Sequence, residues 1–85
     1  MSKDEDIGYS PQLHEAVHEI VENQIRNGNP KETKATLNRL MNLGYDRHEA
    51  IHKIGAIVLE EIFNIMKNQK KFDEKKYVNK LKKLK

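Results

Sequence analysis

Apolar residues recur along this chain at the three- and four-residue spacing of α-helices, in four segments separated by capping residues. The first segment follows Ser10-Pro11, an N-cap residue and then proline at the first helical position, and it ends before Gly28. Its apolar positions are Leu13, Val17, Ile20, Val21 and Ile25. The pattern predicts a helix over residues 11–27.

Capping signals also predict the second helix. Asn29 and Glu32 have the spacing of a capping box, in which Asn29 caps the backbone and Glu32 reaches back to it. Gly44 is then the expected left-handed residue that ends the helix. Together these residues predict a helix over residues 30–43.

A second capping box, formed by Asp46 and Glu49, begins the longest segment, which is predicted over residues 47–68. Because apolar residues cover well over half of its circumference, we expect this helix to lie at the centre of the protein. Asp73 caps a last amphipathic helix, predicted over residues 73–84. The apolar face of that helix consists of Tyr77, Val78, Leu81 and Leu84.

These segments predict the fold class. No segment alternates between apolar and polar residues over the length of a strand, and the turns between the helices are short. We therefore predict an all-α fold, an up-and-down bundle of four helices. Residues 10–85 should form a single domain, and residues 1–9 should be disordered.

Composition narrows the classes of protein that fit this fold. The chain has 85 residues, which suits one small domain, and no cysteine, which excludes disulfides and thiolate metal sites. The opening MSKDED lacks the order of a signal peptide, and Glu60 and Glu61 interrupt the longest apolar stretch. We expect a cytoplasmic protein that does not span a membrane. The absence of a glycine-rich phosphate loop argues against nucleotide hydrolysis of that type.

All four histidines lie in two copies of one pattern. The copies are His14-Glu15-Ala16-Val17-His18 and His48-Glu49-Ala50-Ile51-His52. Residues four apart lie on the same face of a helix, so each pair of imidazoles is spaced to share one metal ion. Both pairs begin their helices, and the first and third helices of an up-and-down bundle run parallel. We therefore expect all four rings to meet at one end of the protein.

The favoured interpretation is a structural or regulatory site for a divalent metal ion. Its ligands would be all four histidines, His14, His18, His48 and His52, or three of them, with Glu22 one turn beyond His18 as a further ligand. Imidazole and carboxylate ligands make zinc the first candidate, and iron or manganese the next. The metal-free alternative is a set of histidines at the boundary of the core, hydrogen-bonded to one another, to Tyr45 or to carboxylates.

Catalysis is a further alternative. Each copy matches the HExxH signature of zinc metalloproteases, but those enzymes normally also supply a third ligand and a substrate cleft. Each copy also contains the Glu-x-x-His element of di-iron bundles, although the additional glutamates that such a centre needs are not convincingly placed. Whether the protein is an enzyme stays open, and no residue is assigned a catalytic role.

Three segments resemble a bacterial family of small uncharacterised proteins, a domain of unknown function found mainly in Firmicutes. They are LHEAVHEIVENQI (13–25), NPKETKATLNRLMNLGYDRHEAIHKIGAIVLEEIF (29–63) and FDEKKYVNKLKKL (72–84). The middle segment is the most specific of the three. The resemblance implies an all-helical domain with its histidines at these positions, and it implies no reaction.

The net charge of +3 conceals an asymmetry, because residues 1–63 carry −4 and residues 64–85 carry +7. The second segment has nine lysines and no arginine, which favours non-specific contact with phosphates or an acidic partner over base-specific recognition. The residues proposed for such contacts are Lys70, Lys71, Lys75, Lys76 and Lys80. The alternative function is thus a metal-free adaptor for protein or nucleic acid, and the simplest explanation of the lysines is that they keep the protein soluble.

The wide apolar surface of the third helix is also compatible with a homodimer.

Overall fold

The computed structural model describes residues 11–85, which form four α-helices and, within that range, no strand. The helices are α1 (Pro11–Asn27), α2 (Lys31–Asn42), α3 (Arg47–Asn68) and α4 (Glu74–Lys83). The predicted all-α bundle of four helices is confirmed, with every predicted helix end within one residue of the observed one. The predicted disorder of residues 1–9 and the cap at Ser10 lie outside the described residues.

Glycines end the first two helices, as the pattern predicted. Gly28 and Gly44 have φ angles of 66° and 111°, a left-handed conformation that side chains disfavour. After α2, the Gly44 amide donates to the Met41 carbonyl at 3.0 Å and the Tyr45 amide donates to the Leu40 carbonyl at 3.2 Å. This Schellman arrangement satisfies carbonyls at the end of α2 and turns the chain towards α3.

The capping box predicted at Asn29 and Glu32 is wrong. Pro30 occupies the N-cap position of α2 in an extended conformation, and among the described residues no side chain makes a capping hydrogen bond there. Because the helix begins one residue later than predicted, at Lys31, Glu32 no longer occupies the third helical position that a capping box requires.

The other two predicted caps are confirmed. The Asp46 carboxylate accepts a hydrogen bond from the Glu49 amide at 2.7 Å, and Glu49 Oε1 accepts one from the Asp46 amide at 3.1 Å. At the start of α4, the Asp73 carboxylate accepts from the Lys76 amide at 3.1 Å. Asp46 and Glu49 thereby fix the first turn of α3, which carries His48.

The core lies between all four helices. α3 contacts α1, α2 and α4, as expected for the central helix, and α2 also contacts the other three. The fully buried side chains include Val17, Val21, Leu40, Ile54, Tyr77 and Leu81. Among the described residues, no helix is long and apolar enough to cross a membrane.

α1 and α3 run in opposite directions, so the prediction that they run parallel is wrong. His14 near the start of α1 lies against His52, whereas Glu22, two turns later, lies against Arg47 at the start of α3. Residue numbers that rise along α1 therefore fall along α3. The prediction assumed that consecutive helices alternate in direction. In the structure α1, α2 and α3 all contact one another, and mutually contacting helices need not alternate in this way.

Candidate metal centre

The four histidine rings form one cluster between α1 and α3. Within α1 the ring centroids of His14 and His18 are 4.5 Å apart, and within α3 those of His48 and His52 are 4.3 Å apart. Across the two helices, His52 lies 5.0 Å from His14 and 4.7 Å from His18. The expectation that the rings meet is therefore confirmed, although the helices bring them together by running in opposite directions.

Three of the rings are close enough together to hold one ion between them. His14, His18 and His52 each offer a ring nitrogen, and these nitrogens all lie within 4.8 Å of one another. The three side chains are half-buried, and one nitrogen of each ring, namely Nδ1 of His14, Nε2 of His18 and Nε2 of His52, is withdrawn from solvent. We call these three residues the histidine triad.

The triad needs only small adjustments to hold a zinc ion. With Zn–N distances of about 2.0–2.1 Å in a tetrahedron, ligand nitrogens lie about 3.3 Å apart. The nitrogens of the triad would therefore have to approach one another by at most about 1.5 Å, which rotations of half-buried side chains can supply. Three imidazoles leave one tetrahedral position for a further ligand.

Helical spacing and core packing position the triad. Val17 precedes His18 and Ile51 precedes His52, and both apolar side chains are buried in the core. His18 and His52 are therefore each adjacent in sequence to a core residue, and their half-buried imidazoles lie at the boundary between the core and solvent. This boundary location is the one that the sequence pattern predicted for the histidines.

His48 lies beside the triad rather than within it. Its side chain is exposed, and its ring centroid is 4.3 Å from that of His52 and 5.8 Å from that of His18. It belongs to the first turn of α3, which the capping box of Asp46 and Glu49 holds. The structure thus places the His48 ring next to the triad but in contact with solvent.

Glu22, the further ligand suggested by the sequence, is held by an arginine. The Arg47 guanidinium donates two hydrogen bonds to its carboxylate, from Nη1 to Oε2 at 2.7 Å and from Nη2 to Oε1 at 2.8 Å. The hydrogen bonds from Arg47 lower the pKa of the Glu22 carboxyl, and those to Glu22 raise the pKa of Arg47. Partial burial of the Glu22 carboxylate acts in the opposite direction and raises its pKa, but the hydrogen bonds from Arg47 outweigh it.

Sequence reasoning did not identify Arg47 as part of this site. Arg47 occupies the second position of the predicted capping box, where any exposed residue is acceptable. Its contact with Glu22 depends on the opposite directions of α1 and α3, which the pattern did not predict. No local signal in the sequence would have paired these two residues.

Within residues 11–85, no observed contact directs the glutamates of the two histidine motifs towards the triad. Glu49 is engaged in the capping box, and Glu15 is exposed on α1. In zinc metalloproteases the glutamate of this motif acts as the general base. In the second copy, the corresponding carboxylate, that of Glu49, instead accepts a hydrogen bond from the Asp46 amide in the capping box.

The lysine-rich segment is separate from the triad along the chain and is largely exposed. Lys70, Lys71, Lys75 and Lys76 are exposed, whereas Lys80 donates hydrogen bonds to Glu60 and, at 2.9 Å, to the buried Glu61 carboxylate. Burial of Glu61 beside α4 explains why Lys80 is directed to the protein rather than to solvent. Four of the five proposed contact lysines therefore face water.

The fold and the histidine cluster define a small all-α protein with a candidate metal centre between two helices. The chain belongs to a family described as Domain of unknown function (DUF1841), whose model matches residues 3–83. Membership in an uncharacterised domain family, expected from the resemblance, is confirmed, and the bacterial range stays a prediction. No curated protein and no solved structure matches the chain.

Proposed function

We propose that this protein binds a divalent metal ion, zinc before iron or manganese, through the triad of His14, His18 and His52. The observation that carries the proposal is the convergence of three ring nitrogens from two helices within 4.8 Å. Imidazole is a good ligand for zinc and iron, and the absence of cysteine removes thiolates as competing ligands.

A bound ion would have a structural effect through its position. It would connect α1 to α3, the two helices that the triad joins, and α3 contacts all the other helices. If an ion binds the folded protein and not the unfolded chain, its binding free energy adds to the stability of the fold. This connection supports a structural or regulatory role, and it requires no substrate.

Substitution of the triad histidines tests whether these residues are the ligands of the ion. Metal-free protein is titrated with zinc, and both the dissociation constant and the thermal midpoint are measured. We expect stoichiometric binding by the unaltered protein and a rise of the midpoint. The variant His14→Ala/His52→Ala, which keeps only one ligand of the triad, should lose both effects.

His48→Ala is the matched control, because it removes the same type of side chain from the same cluster at an exposed position. We expect this variant to keep most of the affinity for zinc. Equal binding by the unaltered protein and the double variant would overturn the proposal. Loss of binding in His48→Ala as complete as in the double variant would contradict the assignment of the triad.

A further inference from the structure

We propose that Arg47 regulates the metal centre by holding Glu22, a conditional fourth ligand, away from the ion. This inference rests on the proposed metal binding by the triad. In the resting arrangement Glu22 is paired with Arg47, and in the metal-loaded arrangement one of its carboxylate oxygens replaces water at the fourth position. The ion pair with Arg47 then breaks, and Arg47 turns to solvent.

The position of Glu22 on α1 supports its role as a ligand. It follows His18 by four residues and His14 by eight, so the three side chains lie in one row along the same face of the helix. One helical turn is about 5.4 Å, a distance that a glutamate side chain can span. A carboxylate added to three imidazoles is also a ligand set that zinc accepts.

The hold of Arg47 on Glu22 is specific in geometry but limited in strength. Two parallel hydrogen bonds of 2.7 and 2.8 Å join the guanidinium to the carboxylate. The side chains are nevertheless 50% and 35% exposed, so water competes for both charges. Exposed ion pairs of this kind change an equilibrium by about two- to fivefold.

A divalent ion in the triad is therefore able to displace Arg47. It carries twice the charge of the guanidinium and sits where the ligands are half-buried, whereas Arg47 acts from the surface. Breaking the pair with Arg47 lowers the apparent affinity for metal by the same two- to fivefold factor. Arg47 thus raises the metal concentration at which the centre fills by about two- to fivefold.

A double-mutant cycle separates this mechanism from simple repulsion between Arg47 and the ion. The zinc affinity of the intact chain, of Arg47→Gln, of Glu22→Gln and of the double variant is measured by competition with a chromophoric chelator. We expect Arg47→Gln to tighten binding about two- to fivefold and Glu22→Gln to weaken it. In the Glu22→Gln background, Arg47→Gln should have no effect, because no carboxylate remains to be released.

The visible spectrum of the cobalt(II)-loaded protein provides a second readout, since its bands report the atoms bound to the ion. Glu22→Gln should change the spectrum, and Arg47→Gln should leave it as in the unaltered protein. Circular dichroism checks that each surface variant keeps its helices. Equal effects of Arg47→Gln in both backgrounds, or an unchanged spectrum in Glu22→Gln, would overturn the inference.

The outcomes also distinguish this inference from the proposed function. If the unaltered protein binds no zinc, or if the His14→Ala/His52→Ala variant binds it equally well, both proposals are wrong. If binding depends on the triad but the two substitutions act independently, the metal centre stands and the role of Arg47 is overturned.

Discussion

The rings of His18 and His52 lie 4.7 Å apart and nearly perpendicular, at 76°, although they belong to different helices. Each comes from its own copy of the repeated histidine motif, so the contact joins the two copies into one site. Val17 and Ile51, buried beside them, anchor the two backbones on the core. The repeat therefore produces one cluster of histidines between α1 and α3 rather than two separate pairs.

Protons should compete with metal for this centre. Zinc binds neutral imidazole, so binding at low pH must displace protons from the histidines. We expect the affinity for zinc to fall as the pH is lowered, because a protonated imidazole does not bind a metal ion. Calorimetry at several pH values in buffers of different ionisation enthalpy measures the affinity and the number of protons released. An affinity that does not change between pH 5 and pH 8 would contradict ligation by histidine.

The free energy of unfolding tests which of the two predicted capping boxes is present. Asp46→Ala removes a side chain that accepts from the Glu49 amide, and we expect a loss of about 0.5–2 kcal/mol in the free energy of unfolding. Asn29→Ala should cost less than about 0.5 kcal/mol, because the observed N-cap of α2 is Pro30 and has no side-chain bond. Urea denaturation of both variants gives the comparison. Equal losses in the two variants would indicate that Asn29 does cap α2, as the sequence predicted.

A partly buried hydrogen-bond network around Gln24 should stabilise the contact between α1, α2 and α4. The Gln24 Oε1 atom accepts from the Thr33 hydroxyl and from the Tyr77 hydroxyl, both at 2.7 Å. Thr33 and Tyr77 are almost fully buried, and burial raises the pKa of the Tyr77 hydroxyl.

Gln24→Ala leaves two buried hydroxyls without this acceptor, so we expect a loss of about 2–4 kcal/mol in the free energy of unfolding. Tyr77→Phe removes a single donor and should cost about 0.5–1.5 kcal/mol. Tyr45→Phe, at a half-buried position, serves as the control and should cost less than either variant. Chemical denaturation that finds Gln24→Ala no more harmful than Tyr45→Phe would show that the network contributes little.

Lys80 should stabilise the contact between α3 and α4 up to high pH. Its hydrogen bonds with Glu60 and Glu61 raise the pKa of the lysine above its ordinary value of 10.5. A raised pKa in the folded state means that the stabilisation is complete below pH 10.5 and is lost as pH rises through the folded value.

The variant Lys80→Met should therefore be less stable than the unaltered protein at pH 7, by about 1–3 kcal/mol, because the buried Glu61 carboxylate loses its donor. The difference should shrink as the pH rises through the raised pKa of Lys80, because the unaltered protein then loses the same charge. Lys82→Met, an exposed position on α4, is the matched control. A difference that stays constant to high pH would mean that Lys80 acts through packing rather than charge.

The sequence predicted those features that depend on neighbouring residues. Gly28, Gly44 and Asp46 act within one or two turns of a helix end, so their effects are visible in the pattern. Histidines four apart share a helix face in any α-helix, so each half of the centre was predictable. The failure at Asn29 came from Pro30, which has the same preferred φ at the N-cap as at the first helical position, so the sequence did not distinguish the two.

Features that depend on how helices cross were not predictable from local patterns. The pairing of Glu22 with Arg47 and the separation of His48 from the triad follow from the opposite directions of α1 and α3. The triad also excludes one of the four histidines that the motif treats as equivalent. Local spacing therefore predicted which residues approach the centre, whereas the packing of α1 on α3 determines which of them converge.

Nitrogen NMR of the histidine rings tests the metal centre most directly, because it observes all four imidazoles separately as zinc is added to metal-free protein. Binding by the triad predicts that ring nitrogens of His14, His18 and His52 move to the chemical shifts of metal-bound imidazole at stoichiometric zinc. The signals of His48 should keep the shifts of a free ring. Unchanged signals from His14, His18 and His52 at stoichiometric zinc would contradict the proposed function.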